Sequence, residues 1–395
     1  MRVCQVNDIA FEAGGAEKSV LLIRDGLRKR GHEVMVVATS TALGEHDPFA
    51  DLVIDAVTGS ALRRLASYAW YQKAYAALRA VVREYRPDLV HLHAIGEFSP
   101  SVLCALHGVP TVLTVHGPED YTLNLLPWQL PASDYRDGSY ERCDLRVRGR
   151  LRLAYLRYLE RPAYRLGFRP LRRVLAPSEF MAASLAGDFP AGRVRVLYNG
   201  IELPLPAPFR DEGHLLYVGR FARVKGVHYL LQAMARVVAR VPHAKLVLAG
   251  DGPERHALIA LASELGITPH VHFTGWLGAR ELRAAYMGAA ALVVPSIWPE
   301  NLPTVAIEAL ATGRAIIGSR VGGLPELISD GVTGRLVPKA RADSLADAAV
   351  EILSDPQKAR AMGARAAAFS QRFALEPFLD GLEQHYECAV RPACG

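Results

Sequence analysis

Long apolar runs are missing from this chain. No stretch reaches the roughly 20 uninterrupted apolar residues that a membrane-spanning helix requires. A leader is not expected either. Met1-Arg2-Val3-Cys4-Gln5-Val6 is broken by polar Asn7-Asp8 too early for a signal peptide and reads as a first strand. Cysteine is scarce, and Cys4, Cys104, Cys143, Cys388 and Cys394 are odd in number and lack metal-ligand spacing. That speaks against a disulfide framework and for a reduced, cytoplasmic compartment. A strong charge of one sign is also lacking, since 46 basic minus 40 acidic residues leave only +6. The arginines between Arg142 and Arg173 come with no aromatic platform or recognised nucleic-acid module, so nucleic acid is not an expected partner. The segment reads either as a solvated helix face or as a patch for anionic phosphates. The second reading allows peripheral contact with an anionic membrane at the inner face. Asp-x-Asp, GxGxxG, low-complexity tracts and short-period repeats are all absent.

What is present is alternation. At 395 residues the chain exceeds the length at which a single core stops growing, about 250–300 residues, so two domains are expected. In the first half, short and nearly continuous apolar runs lie at Val3–Val6, Val34–Ala38, Leu89–His93, Val112–Val115, Val174–Ala176 and Val194–Leu197. Runs of that kind suit strands buried on both faces of a parallel sheet. Helical patterns separate them, as at Ala61–Tyr85, which Arg86-Pro87 closes. At 202–213 the pattern stops in a proline-spaced linker, Glu202-Leu203-Pro204-Leu205-Pro206-Ala207-Pro208. It restarts with Leu215–Val218, Leu246–Ala249, Val271–Thr274, Leu292–Val294, Ile316–Gly318 and Leu336–Val337. The tail from about Asp355 is helical by pattern, with a last helix at 371–395 expected to return to the first domain. The expected fold class is α/β, with two facing Rossmann-like doubly wound parallel-sheet domains at 1–201 and 214–370. Open sheets of this type bind ligands beyond the carboxyl ends of their strands.

The unusual residues fall in those loops. Gly14-Gly15-Ala16-Glu17-Lys18 follows the first strand and opens a helix, which suits either an anion at free amides or a plain turn and helix start. His116 in Thr114-Val115-His116-Gly117-Pro118 ends a strand, where it could hydrogen-bond a ligand and titrate near neutrality, or be structural. In Val218-Gly219-Arg220-Phe221-Ala222-Arg223-Val224-Lys225-Gly226 a strand and a glycine turn place Arg220 and Lys225 beside a helix start. That combination suits a diphosphate. The strongest segment runs from Pro295 to Gly313. Glu300 lies on a loop, Asn301 and Leu302 offer backbone to a phosphate, and Pro303 fits a first helical turn. Glu308 follows on the second turn among apolar neighbours, where an acceptor-only carboxylate needs donors such as a ribose diol.

Together these segments, with Asn199-Gly200-Ile201 and Gly250-Asp251-Gly252-Pro253, resemble the family-4 group of retaining glycosyltransferases with the GT-B fold. The marks run in the family's order over almost the whole chain. The resemblance implies that Glu308 holds the ribose hydroxyls of a nucleotide-sugar donor and that Arg220 and Lys225 neutralise its diphosphate in place of a metal. Glu300 would contact the donor sugar with Asn301 and Leu302 helping, Gly219 and Pro303 would line the donor site, and His116 would sit near the reacting sugar. Gly14 and Gly15 would line the loop near the phosphates. The implied activity is transfer of a hexose-type sugar, from UDP before GDP, to a hydroxyl acceptor such as a glycan, a lipid-linked sugar or a small natural product. No cofactor and no metal are expected. Two alternatives stay open: a nucleotide-sugar hydrolase or epimerase of the same fold, and a non-catalytic nucleotide-sugar-binding protein. The loop at 117–149 departs from the family's pattern, and Tyr121 and Trp128 in it are candidates to stack on an acceptor.

Overall fold

The computed structural model describes residues 1–12, 14–58, 67, 70–95, 98–117, 158, 170–190, 192–203 and 213–391. Tyr121, Trp128, most of the arginine-rich segment and all but the ends of the expected linker lie outside the described residues. The chain divides into two compact units, Met1–Gly200 with Leu375–Gly395, and Ile201–Ala374.

In the first unit seven strands pair in parallel: β1 (Arg2–Ile9), β2 (Glu33–Thr39), β3 (Leu52–Ile54), β4 (Leu89–Leu92), β5 (Thr111–Thr114), β6 (Leu171–Ala176) and β7 (Val194–Val196). Their order is β3-β2-β1-β4-β5-β6-β7. The direction of winding reverses between β1 and β4, so the loops leaving these two strands diverge at a topological switch point. Val3, Cys4 and Val6 of β1 are buried on both faces of the sheet, which is why the strand reads as a continuous apolar run. Helices α1 (Gly15–Lys29), α2 (Gln72–Glu84), α3 (Ser101–Ala105) and α4 (Glu179–Leu185) make the crossovers.

The helix expected over 61–85 begins only at Gln72 among the described residues. Tyr71 is extended at φ −104° and ψ 93°, because its amide donates to Ser99 Oγ at 3.0 Å instead of to a helical carbonyl. Strand β3, at three residues too short to register in a hydropathy pattern, was not expected.

The C-terminal helix Leu375–Val390 belongs to this unit and buries Phe378, Leu379, Leu382 and Tyr386 against Ile23 and Leu27 of α1 and Val3 of β1. Burial of each such side chain stabilises by about 1.5–3 kcal/mol. Arg30 fixes the register of the contact by reaching Glu376, Asp380 and Glu383, residues one or two turns apart on the helix.

The second unit has six parallel strands: β8 (His214–Val218), β9 (Lys245–Ala249), β10 (Val271–Gly275), β11 (Ala289–Val294), β12 (Ala315–Ser319) and β13 (Gly334–Val337). The order is β10-β9-β8-β11-β12-β13, with the switch point between β8 and β11. Helices α5 (Val227–Arg240), α6 (Arg255–Glu264), α7 (Ala279–Gly288), α8 (Thr304–Ala311), α9 (Leu324–Leu327), α10 (Ala342–Ser354) and α11 (Pro356–Ser370) connect and cover the strands. One core joins the inner face of α5 (Leu230, Met234, Val237) to β8, β9 and α10. It leaves the carboxyl edge of the sheet to its loops.

Candidate active site

In the second unit the loops that leave β8 and β11 meet at the switch point. The 3-10 turn Arg223–Lys225 ends at Gly226, which has φ +70° and ψ 16°. A Cβ on Gly226 would stand 2.0 Å from the Pro295 carbonyl oxygen, so only glycine permits this approach. The two loops are stitched by their backbones: Ile297 N donates to Val224 O at 2.9 Å, and Ser296 Oγ donates to the same oxygen at 3.2 Å.

This stitching delivers Lys225 to Glu300. The ammonium donates to both carboxylate oxygens, at 2.8 and 3.0 Å, and the Glu300 side chain is only 10% exposed. Sequence reasoning had assigned the two residues to separate partners, diphosphate and sugar; the structure brings them into one ion pair. The Glu300 backbone is held just as closely from the other side. Gly323 N donates to Glu300 O at 2.7 Å, and a Cβ on Gly322, at φ +53°, would sit 2.0 Å from that oxygen. Gly322-Gly323 is therefore part of the site, which sequence reasoning missed; a glycine pair separated by two residues from the end of β12 was the available signal.

Arg220 is exposed on the β8 loop, and its carbonyl accepts from the buried Tyr217 hydroxyl at 2.9 Å. Gly219 before it has φ +148°. Helix α8 starts one residue later than expected. Pro303, at φ −67° and ψ 118°, occupies the N-cap and not the first turn, while Leu302 is buried. Pro303 O still accepts from Ala306 N at 3.0 Å, which closes the first turn and leaves the amides of Thr304 and Val305 as the helix's leading donors. Glu308 lies on the second turn and accepts from the Tyr286 hydroxyl at 3.1 Å. Burial and the neighbouring carboxylate raise the Tyr286 phenol well above its ordinary range, so it remains a donor at physiological pH.

The first unit places Gly14, Gly15 and His116 on the carboxyl edge of its own sheet, after β1 and β5. Gly14 is the extended N-cap of α1, and a Cβ on Gly15 would meet nothing within 4 Å. Neither conformation nor crowding among the described residues demands glycine here, which leaves room for an approaching group. His116 is part of a polar string: His116 Nε2 lies 3.0 Å from His93 Nδ1, and His93 Nε2 lies 2.9 Å from Gln5 Oε1. Beside it His91 contacts Thr114 Oγ1 at 2.8 Å and the Tyr386 hydroxyl at 2.7 Å. His116 keeps a partly exposed edge, yet burial of its ring lowers its pKa to about 4. The expectation that it titrates near neutrality is thus corrected: at neutral pH His116 is an uncharged imidazole. Gln5 Nε2 and Asn7 Oδ1, on β1 at the switch point, are buried without a hydrogen-bond partner among the described residues. Such groups are rare in folded proteins, and each calls for a physical explanation.

A separate cavity of about 500 Å³ opens beyond β2 and β3, lined by Ser40, Asp55, Thr58, Trp70, Tyr71 and Lys73. Trp70 is 45% exposed at its rim. Among the described residues no group of three or more His, Cys, Asp or Glu could hold a metal ion, and no helix is long and apolar enough to cross a membrane.

Two family models divide the chain between them. The one described as Glycosyltransferase Family 4 matches residues 13–204, and the one described as Glycosyl transferases group 1 matches residues 206–369. The chain belongs to the family-4 type of glycosyltransferase. Over 388 residues it is 28% identical to a phosphatidyl-myo-inositol mannosyltransferase of Mycolicibacterium smegmatis, covering 94% of this chain and 90% of that protein. Over 182 residues it is 36% identical to an uncharacterized glycosyltransferase of Methanocaldococcus jannaschii, covering 42% of this chain and 46% of the relative. In such matches the chain spans about half the length of the curated relatives. Among solved structures, a sucrose-phosphate synthase from Thermosynechococcus elongatus superposes with a TM-score of 0.76 at 25% identity, over 98% of each chain. The GT-B architecture of this glycosyltransferase therefore accounts for both Rossmann-like units.

Proposed function

We propose that this glycosyltransferase moves a hexose-type sugar from a nucleoside-diphosphate donor to a hydroxyl acceptor, with retention at the anomeric carbon and without a metal. UDP-sugars are the first donors to test and GDP-sugars the second. The observation that carries this reading is the convergence at the β8/β11 switch point of Arg220, the Lys225–Glu300 pair, the α8 N-terminus and Glu308. Each suits one part of such a donor. Glu308 accepts from the ribose diol, because a carboxylate can only accept. The leading amides of α8 and the guanidinium of Arg220 face the pyrophosphate oxygens. Lys225 is shared: its ammonium is neutralised by Glu300 until a phosphate competes for it. Glu300 is then released toward the donor-sugar hydroxyls.

The chemical step breaks the bond from the anomeric carbon to the β-phosphate oxygen and forms one from that carbon to the acceptor oxygen. Front-face attack sends the acceptor's proton to the departing β-phosphate. The protein's main contribution is then to stabilise the negative charge that develops on the leaving diphosphate. An uncharged His116, with one ring nitrogen engaged by His93, suits contact with a sugar hydroxyl better than proton abstraction. On the acceptor side, the cavity rimmed by Trp70 offers an indole face with hydroxyl, carboxylate and ammonium groups, a mixture suited to a polyol or glycan.

Thermal-shift screening of a nucleotide-sugar panel tests the donor assignment. One UDP- or GDP-sugar is expected to stabilise the protein more than its nucleoside monophosphate does, and Glu308→Ala should lose most of that shift. A full shift in the variant would remove the ribose assignment.

A further inference from the structure

Glu308 does not stand alone; it is the outer end of a buried polar chain. Tyr286, near the end of α7, is 3% exposed, and its hydroxyl lies 3.1 Å from both Glu308 Oε2 and the Val305 carbonyl oxygen. A phenol has one proton to give, and the carboxylate is the stronger acceptor because it is charged. Tyr286 is in turn held by Arg314, which is 1% exposed and is among the largest fully buried side chains of the described residues. Arg314 Nε donates to Tyr286 O at 2.6 Å, Nη2 to Met287 O at 2.7 Å and Nη1 to Gly313 O at 3.2 Å. The first two carbonyls end α7, where the helix dipole favours a cation. Burial lowers the guanidinium to about 10, which leaves it charged at neutral pH.

We infer that Tyr286 is a positioning residue for nucleotide recognition, with its hydroxyl fixing the plane of the Glu308 carboxylate for the two ribose hydroxyls and Arg314 anchoring it from beneath. The inference rests on the reading that Glu308 binds the ribose. Burying a tyrosine hydroxyl and an arginine costs free energy unless they are hydrogen-bonded, and here the Glu308 carboxylate and the carbonyls at the end of α7 supply those bonds. Helix α8 alone would leave Glu308 three side-chain torsions to settle. A donor at Oε2 turns a rotating acceptor into an oriented one, which lowers the ordering cost of binding. Recognition of a diol by a single carboxylate depends on that orientation in a way that contact with phosphate does not.

The test compares dissociation constants for UDP and 2′,3′-dideoxy-UDP, with GDP and its dideoxy analogue in parallel, in the wild-type protein, Tyr286→Phe and Glu308→Ala. Phenylalanine keeps the ring and its packing and deletes only the hydroxyl. The wild-type protein should prefer the ribonucleotide by at least about tenfold, the value of charge-assisted hydrogen bonds to a diol. Glu308→Ala should abolish the preference. Tyr286→Phe should reduce it several-fold, through weaker ribonucleotide binding with the dideoxy constant unchanged. If Glu308→Ala abolishes the preference while Tyr286→Phe keeps it whole, Tyr286 is a packing residue and the inference fails. If Tyr286→Phe weakens both nucleotides equally, the hydroxyl supports the fold and not the diol, and the inference fails again. If Glu308→Ala itself retains the preference, or neither nucleotide binds the wild-type protein, the underlying ribose reading falls first.

Discussion

The Lys225–Glu300 pair separates stability from chemistry within one contact. Glu300 is nearly buried and Lys225 about one-third exposed, so removing the lysine strands a carboxylate that has already lost most of its water. Lys225→Ala should therefore destabilise the second unit by about 1–3 kcal/mol, the cost of an unsatisfied buried group. Lys225→Ala with Glu300→Gln should recover part of that loss, since a neutral amide is cheaper to bury unpaired. Turnover should not recover, because both groups are assigned to the donor. Urea denaturation with a steady-state assay on the wild-type protein and the two variants reads both quantities, and equal stability of the single and double variants would contradict the argument. Arg220 behaves differently because it is exposed. If it acts on charge that develops as the diphosphate leaves, Arg220→Ala should lower kcat about 100-fold or more while nucleotide affinity falls far less. Equal losses in kcat and affinity would make it a binding residue only.

At the scale of elements, the loops after β8 and β11 behave as one unit because glycine lets their backbones touch. Gly226→Ala would add a Cβ 2.0 Å from Pro295 O in a left-handed conformation, and the loops would have to separate. The left-handed conformation alone costs about 1–3 kcal/mol, and the displacement should also move Lys225 away from Glu300. Loss of donor binding together with a lowered Tm is the expected outcome, and an unchanged Tm would show that the loops yield cheaply. Such contacts mark the limit of what the sequence discloses. Strands β1, β2, β4, β5, β8, β9, β11 and β12 were legible because strands buried almost wholly on both faces must be apolar at nearly every position, and in Val34–Ala38 or Leu246–Ala249 they are. The edge strand β10, partly exposed along its length, showed only as the short run Val271–Thr274. Lys225, Glu300 and Glu308 stood out as charged residues at strand ends and on a helix of apolar neighbours. Their mutual arrangement did not, because the Lys225–Glu300 contact spans 75 residues and depends on backbone approach. Tyr286 and Arg314 were invisible for a related reason. In Ala284-Ala285-Tyr286-Met287 and Gly313-Arg314-Ala315 they look like ordinary helix and strand-edge residues, and only tertiary packing buries them.

At the scale of the molecule, the histidines of the first unit should make its stability depend on pH in a window where most side chains are silent. His91, His93 and His116 lie on or just beyond β4 and β5, and burial is the largest influence on each. It lowers His91 to about 3 and His116 to about 4 from an ordinary value of 6.5, and His93 well below that value. Mutual repulsion adds to the shift of His91 and His93. His385 of the C-terminal helix is also lowered, by burial and by Arg173 and Arg195. In every case the folded-state value lies below the unfolded one. Between the two values the unfolded chain binds protons that the folded chain refuses, so unfolding gains as pH falls. The contribution is complete above 6.5 and is lost progressively as pH drops toward 4 and then 3. Carboxylates such as Asp55, lowered by its contact with Lys73, act only at the acid end of this range. A urea midpoint measured from about pH 7.5 down to about pH 4.5 should therefore begin to fall near pH 6.5, before carboxylates protonate. Replacing His93, which touches both His116 and Gln5, with glutamine should flatten the upper part of that decline while keeping a polar group in the string. A midpoint that stays level down to about pH 5 in the wild-type protein would mean that these rings take up protons in the folded state. His116 would then be a cation near its sugar, and its role as a neutral partner to hydroxyls would have to be given up.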